Sequence, residues 1–127
     1  MRRVVVTGLG MVCPIGNDVK TSWENALAGK NGIGPITRFD ASGMGCQIAG
    51  EVKDFNVDQY LPAKEARRYD RYVHYGVAAG TQAIRDAGLD LEKEDLTRIG
   101  CSVGSGIGGL SMICDNYLAL HERGARR

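Results

Sequence analysis

Gly104-Ser105-Gly106-Ile107-Gly108-Gly109 carries the G-x-G-x-x-G spacing with which backbone amides at a helix start can hold a pyrophosphate. The pattern predicts a strand before it and a helix after it. The rest of a dinucleotide fingerprint is missing. No second strand follows to deliver an acidic side chain about 20 positions later. The earlier turn, Gly8-Leu9-Gly10-Met11-Val12-Cys13, fails at its third glycine position. The hexapeptide therefore reads as a tight turn that lets a helix approach closely. Ile107 is its one bulky residue, and β-branching limits it to few χ1 rotamers. From the residues alone it is either a core plug at a helix start or a gate beside a binding site.

A second constellation is basic. Lys64, Arg67, Arg68 and Arg71 stand at i, i+3, i+4 and i+7, so a helix there would bring four cations to one side. Glu65 and Asp70 offset part of the repulsion from the flanks. Such a face is either merely solvated or a landing site for an acidic partner. Nucleic acid fits poorly, because no aromatic residues interleave the cations and the net charge of the chain is only +1.

The thiols and imidazoles suggest no centre of their own. Cys13, Cys46, Cys101 and Cys114 include no C-x-x-C pair, and no histidine is near Cys13, Cys46 or Cys114 in sequence. Cys101 is expected inside a core strand as a small buried hydrophobe. His74 and His121 read as packing or surface residues, the latter suited to a helix C-terminus. No catalytic residue, metal or cofactor is expected in the segment.

These residues need elements to position them. Val4 to Val6 form a β-branched run of the kind covered on both faces in a sheet. Asn17 or Asp18 can cap a helix running to about Ala28, with Gly29 ending it and Val19, Trp23, Ala26 and Leu27 as its buried stripe. Lys30 to Gly45 is expected to wander over the surface, Gln47 to Val52 to form a short strand, and Pro62 to open a new helical region. The longest helix should run from Arg71 to Ala87, ended by Gly88. Its face at Gly76, Ala79 and Gly80 is bare enough for another backbone to approach. Ile99 to Val103 should be a second core strand and Leu110 to Leu120 a further helix. Two βα units with extra elements between them imply a layered α/β domain.

Composition sets the frame. The 127 residues suit one domain, and 43% hydrophobic and 24% charged residues are ordinary for a globular chain. Eighteen glycines are about twice the usual share, and they cluster at turns and junctions. No apolar run approaches the roughly 20 residues of a membrane span, and no signal peptide is visible. Reduced thiols and a cytoplasmic location are the expectation.

The sequence resembles the beta-ketoacyl-acyl-carrier-protein synthases. Val4-Val5-Val6-Thr7-Gly8-Leu9-Gly10, the loop Pro14-Ile15-Gly16-Asn17, Trp23 and the glycine hexapeptide carry the likeness, in order, from Arg2 to Arg127. Lys64-Glu65-Ala66-Arg67-Arg68-Tyr69-Asp70 and Thr97-Arg98-Ile99-Gly100 point to the synthase II type. The resemblance implies that residues 1–127 are the N-terminal part of a thiolase-like, five-layered α-β-α-β-α domain that works as a homodimer. It implies a condensing enzyme of fatty-acid synthesis that takes acyl and malonyl thioesters from acyl carrier protein. A polyketide ketosynthase shares this chemistry, and a non-catalytic carrier-binding fragment is the third reading. The family's nucleophilic cysteine and two catalytic histidines are expected downstream of Arg127, so the segment alone should be inactive. By the same resemblance Lys64, Arg67 and Arg68 dock the carrier protein and Ile107 lies in the acyl pocket.

Overall fold

Of the two candidate caps, Asn17 and Asp18, it is Asp18 that opens the first helix. A computed structural model describes residues 2–125; Met1, Arg126 and Arg127 lie outside the described residues. Helix α1 spans Val19–Leu27, and the extended Asp18 before it accepts from the Thr21 amide at 2.7 Å and the Thr21 hydroxyl at 2.8 Å. Gly29, at φ +66°, follows its last turn, as expected. The buried stripe is not the expected one. Ser22 is the buried residue of α1, whereas Trp23 and Leu27 are exposed. Polar anchors turn the helix this way. Asn25 donates to the Ile15 carbonyl, Cys13 Sγ donates to Ser22 Oγ at 3.3 Å, and Gly16 lies directly against Ser22.

The Thr21 amide and hydroxyl hold the Asp18 carboxyl below its ordinary range. A carboxyl with a lowered folded pKa stabilises above the unfolded value, near 4, and ceases to do so as pH falls through the folded value. Asp18→Ala is thus expected to cost about 1 kcal/mol of unfolding free energy at pH 7. Urea titrations of both proteins should show that gap closing as pH falls below about 4; a gap independent of pH would rule out the ionised cap.

Strands β1 (Ile33–Pro35) and β2 (Ile48–Gly50) pair antiparallel, with Ile33 opposite Gly50 and Pro35 opposite Ile48. The second lies within the expected Gln47–Val52. The first falls in the stretch read as an irregular surface loop. Beyond them Phe55 stacks on Tyr60 at 5.9 Å and meets Tyr75 edge-on at 5.1 Å.

Three further helices follow: α2 (Ala63–Ala66), α3 (Arg71–Asp86) and α4 (Leu110–Arg123). Helix α3 is the element on which the N-terminal segment is seated. Ala78 on it is fully buried, and Ala87 closes it before Gly88 at φ +66°. Its bare face does receive a backbone, at Ala79, Ala83 and Ala87. Gly10 is set against the Ala79 carbonyl and Gly8 against the Ala83 carbonyl and Ala87. Between these contacts the Leu9 amide donates to Asp86 at 2.8 Å and the Met11 amide to Gln82 Oε1 at 3.1 Å. Gln82 also donates to the Asn17 carbonyl at 2.8 Å and to the Tyr60 hydroxyl at 3.0 Å.

The two expected core strands are corrected. Val4 to Val6 are extended but pair with no strand among the described residues, and Val4 is 95% exposed. Ile99 to Val103 likewise form no strand, and Cys101 is exposed instead of buried. A strand exists only where a neighbour supplies the other half of its ladder. Further along, the Leu9 and Met11 amides are taken by α3 side chains, and the sheet that β-branching called for is not formed. The layering of helices on a sheet is therefore absent among the described residues.

Candidate docking turn and glycine loop

The basic residues do not share one helix. Helix α2 ends at Ala66; the amides of Arg68 and Tyr69 then bond back only three residues, to Glu65 and Ala66. Asp70 adopts an extended conformation and starts α3 afresh at Arg71. The four-cation face expected from i, i+3, i+4, i+7 is thus split. An aspartate that caps the following helix outweighs charge periodicity, because its side chain offers the backbone an alternative to continuing the turn. Lys64, Arg67 and Arg68 remain together, exposed, on α2 and the turn after it. Arg71 stands apart on the first turn of α3.

The turn is held from beneath. His74 Nε2 bonds the Ala66 carbonyl at 2.8 Å, which occupies this imidazole in packing, as expected. The ion pair of Arg68 with Glu65 is 3.6 Å long and solvent-exposed, so it contributes little. The cations are free to meet an outside anion.

The glycine hexapeptide enters α4 from the opposite side of the same junction. Gly109 caps α4 with no side chain of its own to offer. Asp70 supplies the missing acceptor: one carboxylate oxygen takes the Arg71 amide at 2.6 Å, the other the Met112 amide at 3.1 Å. These two amides, Met112 first, hold the Asp70 carboxyl below its ordinary range. Sequence reasoning had credited Asp70 only with offsetting charge. Its position before a helical run signalled the first cap, but nothing local signalled the second. Tyr72 is the other missed residue. Its ring lies under Gly108, where an added Cβ would come within 3.0 Å of it, and Gly108 has the left-handed φ of +80° that suits glycine.

A groove of about 910 Å³ opens where these parts meet, lined by Asp70, Arg71, Tyr72, Tyr75, Arg38 and Leu110 among others. Arg38 donates to the Tyr75 hydroxyl across its floor at 3.0 Å. Ile107 is not in its wall; the side chain is 73% exposed on the loop just before it. Lys64, Arg67 and Arg68 lie on the N-terminal side of Asp70, and the loop carrying Ile107 meets Asp70 and Tyr72 through Gly108 and Gly109. Among the described residues no three His, Cys, Asp or Glu side chains converge as a metal site would need. Nor, among the described residues, is any helix long and apolar enough to cross a membrane.

The model of the beta-ketoacyl synthase N-terminal domain matches residues 1–127, the whole chain. The chain belongs to the beta-ketoacyl synthase family. Among synthase relatives, 3-oxoacyl-(acyl-carrier-protein) synthase 2 of Vibrio cholerae is 48% identical over 126 residues, 99% of this chain and 30% of that protein. The enzymes of the same name from Synechocystis and Staphylococcus aureus are 49% and 48% identical over the same shares. The chain thus spans about 30% of the length of the curated relatives it matches.

Two solved ketosynthases have the same fold in the matching portion. One is a type II polyketide acyl-carrier protein in complex with its ketosynthase bound to the hexaketide. There the TM-score is 0.75 at 29% identity, over 94% of this chain and 30% of that one. The other is the ishigamide ketosynthase/chain length factor, with TM-score 0.75 at 32% identity, over 99% of this chain and 32% of that one.

Proposed function

We propose that this chain is the N-terminal portion of a 3-oxoacyl-acyl-carrier-protein synthase of fatty-acid biosynthesis, acting in the cytoplasm as a homodimer with the layered thiolase-like fold. The observation that carries the reading is 48–49% identity, over 99% of the chain, to synthase 2 enzymes of three distant bacteria. The reaction would pass an acyl group from carrier protein to a cysteine. Loss of CO₂ from malonyl-carrier protein then leaves a carbanion. Its new C–C bond to the acyl carbon releases the cysteine and forms the 3-oxoacyl thioester. No residue of this segment is assigned to that chemistry. A polyketide ketosynthase is the second reading, favoured by the two structural matches but at lower identity.

Within this reading Lys64, Arg67 and Arg68 receive the acidic carrier protein. Their exposure and separation from Arg71 on the turn after α2 support the role, since rigid support beneath exposed cations suits steering more than tight binding. The full-length synthase carrying this segment is expected to convert acyl- and malonyl-carrier protein to the 3-oxoacyl product with release of CO₂. Reversing Arg67 and Arg68 to Glu should weaken carrier binding about fivefold or more at low salt and far less at 0.5 M salt, where screening has already removed the attraction. Failure to condense would refute the function. Unchanged low-salt binding would refute the docking turn alone.

A further inference from the structure

Helix α2 is a single turn, Ala63–Ala66, and little of its own holds it. Pro62 precedes it with no side-chain cap, and a helix this short is marginal without support from outside. Ala66, its last residue, is buried, whereas Lys64, Arg67 and Arg68 around it are exposed. The Ala66 carbonyl is the weak point. Helix ends leave such carbonyls without an intrahelical partner, and the Tyr69 amide reaches this one only at 3.4 Å. The neighbouring Glu65 carbonyl takes the Arg68 amide at 2.9 Å. His74 makes good the difference, at 2.8 Å. A carbonyl only accepts, so Nε2 of His74 carries the proton and donates. His74 stands near the start of α3, which Asp70 fixes by accepting from the Arg71 and Met112 amides. One imidazole therefore ties the docking turn to the helix on which the N-terminal segment is seated.

We propose that His74 is a positioning residue for carrier-protein docking: its bond to the Ala66 carbonyl sets the place of Lys64, Arg67 and Arg68 relative to α3. The inference rests on the reading of these cations as the docking site. His74 touches no carrier protein in this role. It acts through the backbone between the cations, since Ala66 precedes Arg67 directly and lies two residues from both Lys64 and Arg68. Exposed ion pairs are individually weak, so several must meet their acids together. Cations on a turn already in place do so without the ordering cost of a loose one.

The test uses the full-length synthase with His74→Leu, which removes the donor, and His74→Gln, whose side-chain amide can donate to the same carbonyl without charge. Arg67→Glu with Arg68→Glu is the reference pair. Carrier-protein affinity is measured at low and at 0.5 M salt, with Tm and with acylation by acyl-carrier protein and by an acyl-pantetheine thioester, which has no protein to dock. His74→Leu should weaken carrier binding about fivefold at low salt. The ratio of kcat/KM for acyl-carrier protein to that for the small thioester should fall by the same factor, through KM. His74→Gln should recover most of the loss. At 0.5 M salt, and in the Arg67→Glu/Arg68→Glu background, His74→Leu should change affinity less than twofold, because it acts through the cations. Low-salt affinity within twofold of wild type in folded His74→Leu overturns the proposal and leaves His74 a packing residue whose loss moves only Tm. A loss that persists at 0.5 M salt, that the small thioester shares or that His74→Gln does not relieve overturns it too. Should His74→Leu not fold, His74→Ala decides in the same way. If the arginine reversals weaken binding and the His74 variants do not, only the positioning role is lost. If the reversals change nothing, the docking reading itself falls, and the inference with it.

Discussion

Replacing Gly10 by alanine is expected to lower the unfolding free energy by about 3 kcal/mol, at the upper end for overpacking. An added Cβ would run into the Ala79 carbonyl, and Ala83 N lies 2.9 Å from the same point. Both obstacles are backbone of α3, so no side-chain rotation can make room. The N-terminal segment would have to lift off the helix. That would strain the amide bonds of Leu9 to Asp86 and Met11 to Gln82 on either side. Gly34→Ala provides the contrast, because nothing lies within 4 Å of a Cβ there. It should change stability by no more than about 0.5 kcal/mol. Urea unfolding of the three proteins settles the matter; equal midpoints for Gly10→Ala and Gly34→Ala would show that the segment is not seated on α3.

Ile107→Phe in the full-length synthase is expected to slow acylation by octanoyl and longer thioesters about tenfold to a hundredfold while sparing acetyl transfer. The added volume would cost about 1–3 kcal/mol in a packed acyl site, and each 1.4 kcal/mol is a factor of ten. Within the described residues this side chain is 73% exposed, so a larger ring displaces nothing there. Tm of both full-length enzymes separates a packing defect from an effect on the acyl site. Chain-length profiles of the same shape for both enzymes would return Ile107 to a packing role.

How much was legible in the sequence depended on the reach of each interaction. Helix limits were largely legible, because Asp18 at one start and Gly29 and Gly88 at the ends act within a turn of their own position, although the cap at Asp70 was missed. Strands were not. Val4 to Val6 and Ile99 to Val103 have strand composition, yet composition cannot provide the neighbour that makes a strand. The bare face of α3 was legible as a landing place for backbone, but Gly80, expected to share it, meets open space while Ala83 and Ala87 bear the contact. The basic face failed differently. Four cations at helical spacing describe a helix if one exists, and the cap at Asp70 decides that it does not continue. The bond from Asp70 to Met112 was beyond any local rule, although a glycine with no side chain at the start of α4 left a cap for something else to supply.

The seating of the first residues on α3 also sets an order in time. Leu9 and Asp86 are 77 positions apart, Met11 and Gln82 71, and Asn17 and Gln82 65. During synthesis the glycine-bearing segment is made long before the helix that accepts it. At about 5–20 residues per second that interval is roughly 4–15 s. Throughout it Gly8 to Met11 have no helix to rest on. Residues 8–11 are therefore made well before the helix that seats them, and a waiting chaperone has its use in that interval.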